Sequence, residues 1–163
     1  MENGYLWMDV SIYEGSSNAS YITAFLHRGF LEDHSKPIIF TMAWLDRVKN
    51  LIGLVRWFCE NVKLRQMVNL VVVGGDRNPT KSKDREEAKE IETMHGLIEE
   101  YNLFGQFRWI CTQKNRVRNG ELYRYVADTR GAFIQVSRPG IKICEKSCMI
   151  LINQIACGSV SFC

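Results

Sequence analysis

Four consecutive apolar residues at positions 70–73, Leu-Val-Val-Val, followed at once by Gly74, Gly75 and Asp76, constrain the fold of this chain most strongly. A run that is apolar at every position, rather than at alternate positions, is typical of a strand buried on both faces. Such strands occur mainly in parallel sheets that are covered by helices. We therefore predict an α/β fold organised around this strand.

Similar short apolar runs recur along the chain and alternate with stretches of helical periodicity. We predict strands over residues 37–42, 69–74, 107–111 and 132–136, and helices over residues 47–61, 84–102 and 119–129. In the helix over 84–102, apolar residues lie three or four positions apart from Ala88 to Tyr101. This alternation predicts one domain with a Rossmann-like parallel sheet and flanking helices. In the Rossmann strand order 3-2-1-4, the strand at 132–136 lies at an edge.

Composition and charge narrow the class of protein. The chain has 163 residues, of which 46% are hydrophobic and 24% charged, as is typical of a soluble globular domain. A net charge of +3 is too small to indicate a nucleic-acid partner, although residues 114–124 include a local basic cluster. No stretch approaches the roughly 20 apolar residues of a membrane-spanning helix, and the amino terminus lacks the pattern of a secretory signal. We therefore expect a cytoplasmic protein without a membrane span.

The six cysteines do not indicate disulfides or a metal site. In the cytoplasm they are expected to be free thiols. Cys59 and Cys111 lie within apolar patterns and are predicted to pack in the core. The others, at positions 144, 148, 157 and 163, lack the paired spacing and neighbouring histidine of a zinc site, so no bound metal is expected.

Three loops that follow predicted strands are candidates for a binding site, and they cover residues 43–50, 74–83 and 112–119. In open parallel sheets, ligands bind outside the carboxyl ends of the strands, near helix N-termini that attract phosphate. Each loop also has an ordinary structural explanation. Gly74 and Gly75 are typical of a tight turn, and residues 114–118 of a solvated basic loop. Lys49 is equally typical of an exposed helix start, which Asp46 would cap.

Four segments of the sequence resemble one known family. They are KPIIFTMAWLDRVKN, LVVVGGD, EEYNLFGQFRWI and NRVRNGELYRYVADTRGAF. Together they resemble the carboxyl-terminal, nucleotide-binding lobe of plant sucrose synthases, which are retaining glycosyltransferases of the GT-B type. The resemblance covers residues 29–135 and implies a truncated GT-B lobe. It also implies the reversible reaction of sucrose with UDP to give UDP-glucose and fructose, without a metal or redox cofactor.

The resemblance implies specific contacts with the nucleotide. In the family motif that residues 43–50 match, an arginine and a lysine bind the phosphates of UDP, and the lysine is Lys49 in this sequence. Residues 112–119 match a loop beside the uridine, which assigns Gln113 and Asn119 to the nucleotide. Asn119 has a second interpretation, since a carboxamide at that position can cap the predicted helix that follows.

One departure from the family pattern falls on the phosphate contacts. The family motif is Ala-Arg-Leu-Asp-Arg-Val-Lys-Asn, and here its first arginine is Trp44. An indole offers one neutral N–H donor, whereas a guanidinium offers a charged fork that fits phosphate. Loss of such a charge-stabilising donor typically raises a reaction barrier by about 3 kcal/mol. We therefore expect this chain to stabilise a departing diphosphate poorly.

Both ends of the chain also depart from the family pattern. Residues 1–28 are predicted to be irregular and unlike the family, and they do not supply the other lobe of a GT-B enzyme. After Gln135, residues 136–163 lack the glutamates by which the family contacts the glucose and the ribose. We expect this divergent tail to be translated, unspliced intron, a hypothesis that sequencing the transcript across codon 136 would test.

These comparisons lead to three hypotheses for function. By family, the chain is a UDP-dependent glycosyltransferase, but alone it is expected to be inactive. As an alternative, it is a non-catalytic module that binds UDP or associates with full-length subunits of the family. In the third hypothesis it is a non-functional gene fragment. Calorimetry with UDP, combined with an assay of UDP-dependent sucrose cleavage, separates the three.

Overall fold

The computed structural model of the chain describes residues 19–112 and 114–136. Within these residues the helices are α1 (Ala19–His27), α2 (Leu51–Glu60), α3 (Val62–Met67), α4 (Arg85–Glu100) and α5 (Arg116–Asp128). The strands are β1 (Ile38–Met42), β2 (Asn69–Val73), β3 (Phe107–Ile110) and β4 (Ala132–Phe133). A short 3₁₀ helix, Pro79–Lys81, lies between β2 and α4.

The described strands form one parallel sheet in the order β3-β2-β1-β4. Phe40 of β1 lies opposite Val71 of β2 on one side and opposite Phe133 of β4 on the other. The predicted α/β class and the Rossmann-like strand order are therefore confirmed. β4 is shorter than the predicted strand over 132–136, because its pairing with β1 ends at Phe133.

Both faces of the sheet are covered by helices, and β2 is buried at every position. Leu70 and Val72 belong to a core cluster that includes buried residues of α2 and α4. Val71 and Val73 belong to a second cluster that includes residues of α1 and α5. This is the burial on both faces that the uninterrupted apolar run predicted.

The prediction that residues 1–28 are irregular is wrong for its last third, where α1 forms. Ile22, Phe25 and Leu26 follow helical spacing and are buried in the second core cluster, against the sheet. Residues 1–18 and 137–163 lie outside the described residues, so the hypotheses about both ends of the chain stay predictions.

The start of α2 also differs from the prediction. The helix begins at Leu51 instead of at position 47, and Asp46 does not cap it. Instead, Oδ1 of Asp46 accepts a hydrogen bond from the backbone N–H of Lys49 (2.7 Å) and closes a separate turn before the helix. Asn50 then takes a left-handed conformation with φ of 49°. The chain therefore reaches α2 through an ordered turn, which fixes the backbone of Lys49.

The helix predicted over 47–61 ends where it was expected, and a second, unpredicted helix follows it. Asn61 separates α2 from α3, and its side chain accepts a hydrogen bond from the backbone N–H of Leu64 (3.1 Å).

Cys59, at the end of α2, is buried as predicted, whereas Cys111, the residue after β3, is only half-buried.

A buried histidine links α1 to α5. His27 is 2% exposed, and its Nε2 lies 2.9 Å from the hydroxyl oxygen of Tyr125. The ring centroids of His27 and His34 are 4.4 Å apart. Burial, and secondarily the proximity of His34, lower the pKa of His27 from its ordinary value of 6.5. The folded chain therefore favours the neutral imidazole.

We expect the free energy of unfolding to fall as the pH drops below about 6.5, where the unfolded chain begins to bind a proton at His27 that the folded chain does not. Urea unfolding between pH 7.5 and pH 5 measures this dependence. A His27→Gln variant should lose part of the decline. Parallel declines in the two proteins would show that His27 does not cause it.

Candidate functional site

A pocket of about 300 Å³ opens at the carboxyl edge of the sheet. Its lining comes from the end of β1, the loop after β1, the end of β2, and the residues after β3 and β4. The lining residues are Met42, Ala43, Trp44, Lys49, Val73, Thr112 and Gln135. This is the edge at which open parallel sheets bind their ligands.

Backbone hydrogen bonds hold the loops of the pocket together. The N–H of Ala43 donates to the carbonyl of Val73 (3.0 Å), and the N–H of Thr112 donates to the carbonyl of Gly75 (2.9 Å). The indole N–H of Trp109 donates to the carbonyl of Gly74 (2.8 Å). The loops after β1, β2 and β3 are therefore tied to one another at the mouth of the pocket.

Gly74 allows the loops after β1 and β2 to approach this closely. A Cβ at Gly74 would collide with the carbonyl oxygen of Ala43. Gly75 has φ of +60°, and a Cβ there would lie 2.9 Å from the side chain of Leu45. The Gly-Gly pair is thus required by a turn and by close packing, which is the ordinary explanation that the sequence offered.

Lys49 lines the pocket. Its side chain is half-buried, and the bond from its N–H to Asp46 fixes its backbone. Among the residues that the structure describes, no carboxylate forms an ion pair with Lys49. Its positive charge is therefore available to an anionic ligand.

The second cation of the same loop points elsewhere. Nε of Arg47 lies 3.8 Å from Oε1 of Glu86 on α4, and both side chains are exposed. The backbone N–H of Arg47 donates to the same carboxylate oxygen (3.3 Å). Arg47 does not line the pocket. Of the described residues that line the pocket, Lys49 is therefore the positively charged one.

Trp44 forms a wall of the pocket and is 68% exposed. Its neighbour Leu45 is buried and is part of the core, while Ala43 is bonded to Val73. The backbone on both sides of Trp44 is therefore anchored, and the indole projects from a fixed position at the pocket mouth.

The resemblance assigned Gln113 and Asn119 to the uridine side of the nucleotide. Gln113 lies outside the described residues. Asn119 is inside α5, does not line the pocket, and is not the cap of that helix. The cap is Asn115, whose side-chain oxygen accepts hydrogen bonds from the N–H groups of Val117 (3.0 Å) and Arg118 (3.1 Å). The prediction that α5 begins at position 119 is therefore wrong, because an equally suitable carboxamide occurs one turn earlier.

Thr112 and Gln135 are pocket residues that sequence reasoning did not single out as ligand contacts. Thr112 follows β3 by two positions, and Gln135 follows β4 by two positions. Both therefore lie past the carboxyl end of a strand. The general rule that ligands bind at that edge was the signal that could have identified them.

The guanidinium groups of two arginines near β3 make contacts within the fold and do not line the pocket. Arg108 is 4% exposed, and its guanidinium carbon lies 3.2 Å from the ring centroid of Phe30. Burial, and secondarily the charge of Arg77, lower the pKa of Arg108 to about 9. The guanidinium of Arg77 donates to the carbonyl of Trp109. Neither arginine lines the pocket.

Among the helices that the structure describes, none is long and apolar enough to span a membrane. No group of three or more histidine, cysteine or acidic side chains there is arranged to bind a metal ion.

Known proteins similar to this chain come from plants. The chain is 56% identical over 136 residues to "Sucrose synthase 4" of Oryza sativa subsp. japonica, a match that covers 83% of the chain and 16% of that protein. It is 51% identical over 158 residues to "Sucrose synthase 5" of Arabidopsis thaliana, covering 97% of the chain and 18% of that protein. It is 62% identical over 109 residues to "Sucrose synthase 2" of Arabidopsis thaliana, covering 67% of the chain and 14% of that protein.

The chain therefore spans less than a fifth of the length of these relatives. No family model matches it. The parallel sheet with its flanking helices is consistent with part of a GT-B lobe.

We expect Gly74→Ala to destabilise the chain by about 1–3 kcal/mol, because the new methyl group must displace the loop of Ala43. Urea denaturation measures the change. Gly96→Ala in α4 is the matched control, since a Cβ there meets nothing within 4 Å and alanine favours the helix. Equal stability of the two variants would contradict the role given to Gly74.

Proposed function

Because this chain belongs, over the matched segment, to the sucrose synthase family, we propose that its pocket binds the diphosphate group of UDP or UDP-glucose. The observation that carries the proposal is the position of Lys49, half-buried at the carboxyl edge of the sheet and without a paired carboxylate among the described residues. A fixed cation at this edge suits a phosphate group.

The dimensions of the pocket support a ligand of this size. A volume of about 300 Å³ is at the lower end of the range of small-molecule sites. Met42 and Val73 offer apolar contacts, and Thr112 and Gln135 offer neutral hydrogen-bonding groups. Such a lining accepts an uncharged ring beside a phosphate group. No metal ion or redox cofactor is part of the proposal.

The family is one of glycosyltransferases, and we propose that this chain alone does not catalyse the transfer of glucose between sucrose and UDP. Cleavage of a sugar–phosphate bond leaves a diphosphate whose growing charge must be stabilised. Lys49 is the only cation among the described residues that line the pocket, and Trp44 contributes a neutral indole. None of the lining residues that the structure describes is a carboxylate that could contact the sugar.

Isothermal titration calorimetry with UDP, together with an assay of UDP-dependent sucrose cleavage, tests this proposal. We expect heat of binding without turnover. Lys49→Ala should weaken the binding of UDP about tenfold or more, because the phosphate loses its paired cation. Arg47→Ala is the matched control, since it removes a cation of the same loop that lies outside the pocket, and its affinity should stay within about twofold.

Three results would contradict the proposal. Equal affinities of the Lys49→Ala and Arg47→Ala variants would remove Lys49 from the site. Cleavage of sucrose at a rate comparable with that of a full-length relative would show that the chain alone is catalytic. Absence of any heat with UDP would favour the non-functional fragment instead.

A second candidate function, association with full-length subunits of the family in the cytoplasm, is favoured by the edge of the sheet. Among the described strands, β4 pairs only with β1, so its other side has no neighbouring strand. An open edge of this kind is a site for pairing with another chain. Co-purification of the chain with a full-length relative would support this function, and separate elution of the two would contradict it.

A further inference from the structure

Lys49 lies in a single helical turn that precedes α2, and Asp46 closes this turn with two hydrogen bonds. The carbonyl oxygen of Asp46 accepts from the N–H of Asn50 (3.2 Å), and its Oδ1 accepts from the N–H of Lys49 (2.7 Å). The second bond is of the kind by which a cap residue holds the third residue of a helix. Asp46 itself does not line the pocket.

A single helical turn has little stability of its own, because its first backbone hydrogen bond must fix several dihedral angles at once. Before the turn, Leu45 is buried in the core and anchors the chain. After the turn, Asn50 has φ of 49° and separates it from the regular hydrogen bonds of α2. The turn therefore gains little support from α2, and the side-chain bond from Asp46 contributes a large part of its order.

Two carboxylates accept hydrogen bonds from backbone N–H groups of this turn, and the two bonds differ in strength. Oε1 of Glu86 accepts from the N–H of Arg47 at 3.3 Å, in an exposed position. Oδ1 of Asp46 accepts from the N–H of Lys49 at 2.7 Å, in a partly buried position. A hydrogen bond to a charged group is stronger when it is short and shielded from water. The stronger bond thus holds the residue that lines the pocket.

From these contacts we propose that Asp46 is a positioning residue, which orders the turn and so holds Lys49 where its ammonium group meets a phosphate. The inference rests on the proposed function and goes beyond it, since Asp46 contacts no ligand and acts through Lys49. A lysine whose backbone is already fixed loses less conformational freedom on binding. The oxygen of Asp46 serves binding, whereas its negative charge opposes the approach of an anion.

Calorimetry with UDP on three variants tests this role. Asp46→Ala removes the acceptor, and we expect the affinity to fall about fivefold, because the binding-competent turn is populated less. Asp46→Asn keeps a side-chain oxygen and removes the charge, so its affinity should stay within about twofold of that of the natural chain or exceed it. Asn61→Ala, which removes the cap of α3 outside the pocket, is the matched control and should lower stability without changing affinity.

A double-mutant cycle shows whether Asp46 acts through Lys49. In a chain that already carries Lys49→Ala, the further change Asp46→Ala should alter the affinity for UDP by less than about twofold. An equal loss in both backgrounds would overturn the inference, because Asp46 would then affect the ligand by another route. Failure of Asp46→Asn to keep the affinity would also overturn it, since the oxygen alone would not be sufficient.

Hydrogen exchange at the backbone amide of Lys49 gives a readout that does not depend on the ligand. This amide should exchange about fivefold faster in Asp46→Ala than in the natural chain, and Asp46→Asn should restore its protection. Unchanged exchange, or unchanged affinity for UDP in Asp46→Ala, would overturn the inference and leave the proposed function standing. Absence of UDP binding by the natural chain would overturn the proposed function, and the inference with it.

Discussion

The burial of β2 between two parallel neighbours and two layers of helices is the constraint on which the other features depend. Each of its five residues is buried, so a shift of register by one position would carry every side chain to the opposite core. The carboxyl end of β2 is therefore fixed. Gly74, at that end, lies against the carbonyl of Ala43, and this contact sets the position of the loop that carries Lys49.

The pocket follows from this backbone arrangement more than from side-chain chemistry. Its loops are tied by backbone hydrogen bonds and by the bond from Trp109 to Gly74. The side chains that line it bring one positive charge, one large aromatic ring and two neutral polar groups. Binding and catalysis make different demands on such a site, because only catalysis must stabilise charge that develops during the reaction.

Features that depend on local burial were predictable from the sequence, whereas those that depend on competing polar contacts were not. The apolar run of β2 and the alternation of strands with helices specify the parallel sheet, and the pocket position of Lys49 follows from the loop after β1. Asp46 is a suitable cap by residue type, but its carboxylate closes an earlier turn with Lys49. Asn115 and Asn119 are equally suitable caps by residue type, and it is Asn115 whose side chain accepts hydrogen bonds from the N–H groups of Val117 and Arg118.

Tertiary pairing explains the other differences. Thr112 and Gln135 line one pocket because β3 and β4, although two strands separate them, end at the same edge of the sheet. Their common pocket is a property of the sheet, and no local pattern in the sequence records it. The exposure of Trp44 could not be predicted from the sequence either, because a large aromatic residue between an alanine and a leucine usually indicates a core position.

Backbone amide chemical shifts of the chain, recorded during titration with UDP, test the central claim most directly, because they report binding at every described position at once. The account predicts that the largest changes fall on residues 43–50, on residues 73–75 and on Thr112 and Gln135, around the charge of Lys49. Changes centred on α1 or α3, or spread evenly over the sheet, would contradict the claim that this edge of the sheet binds the nucleotide.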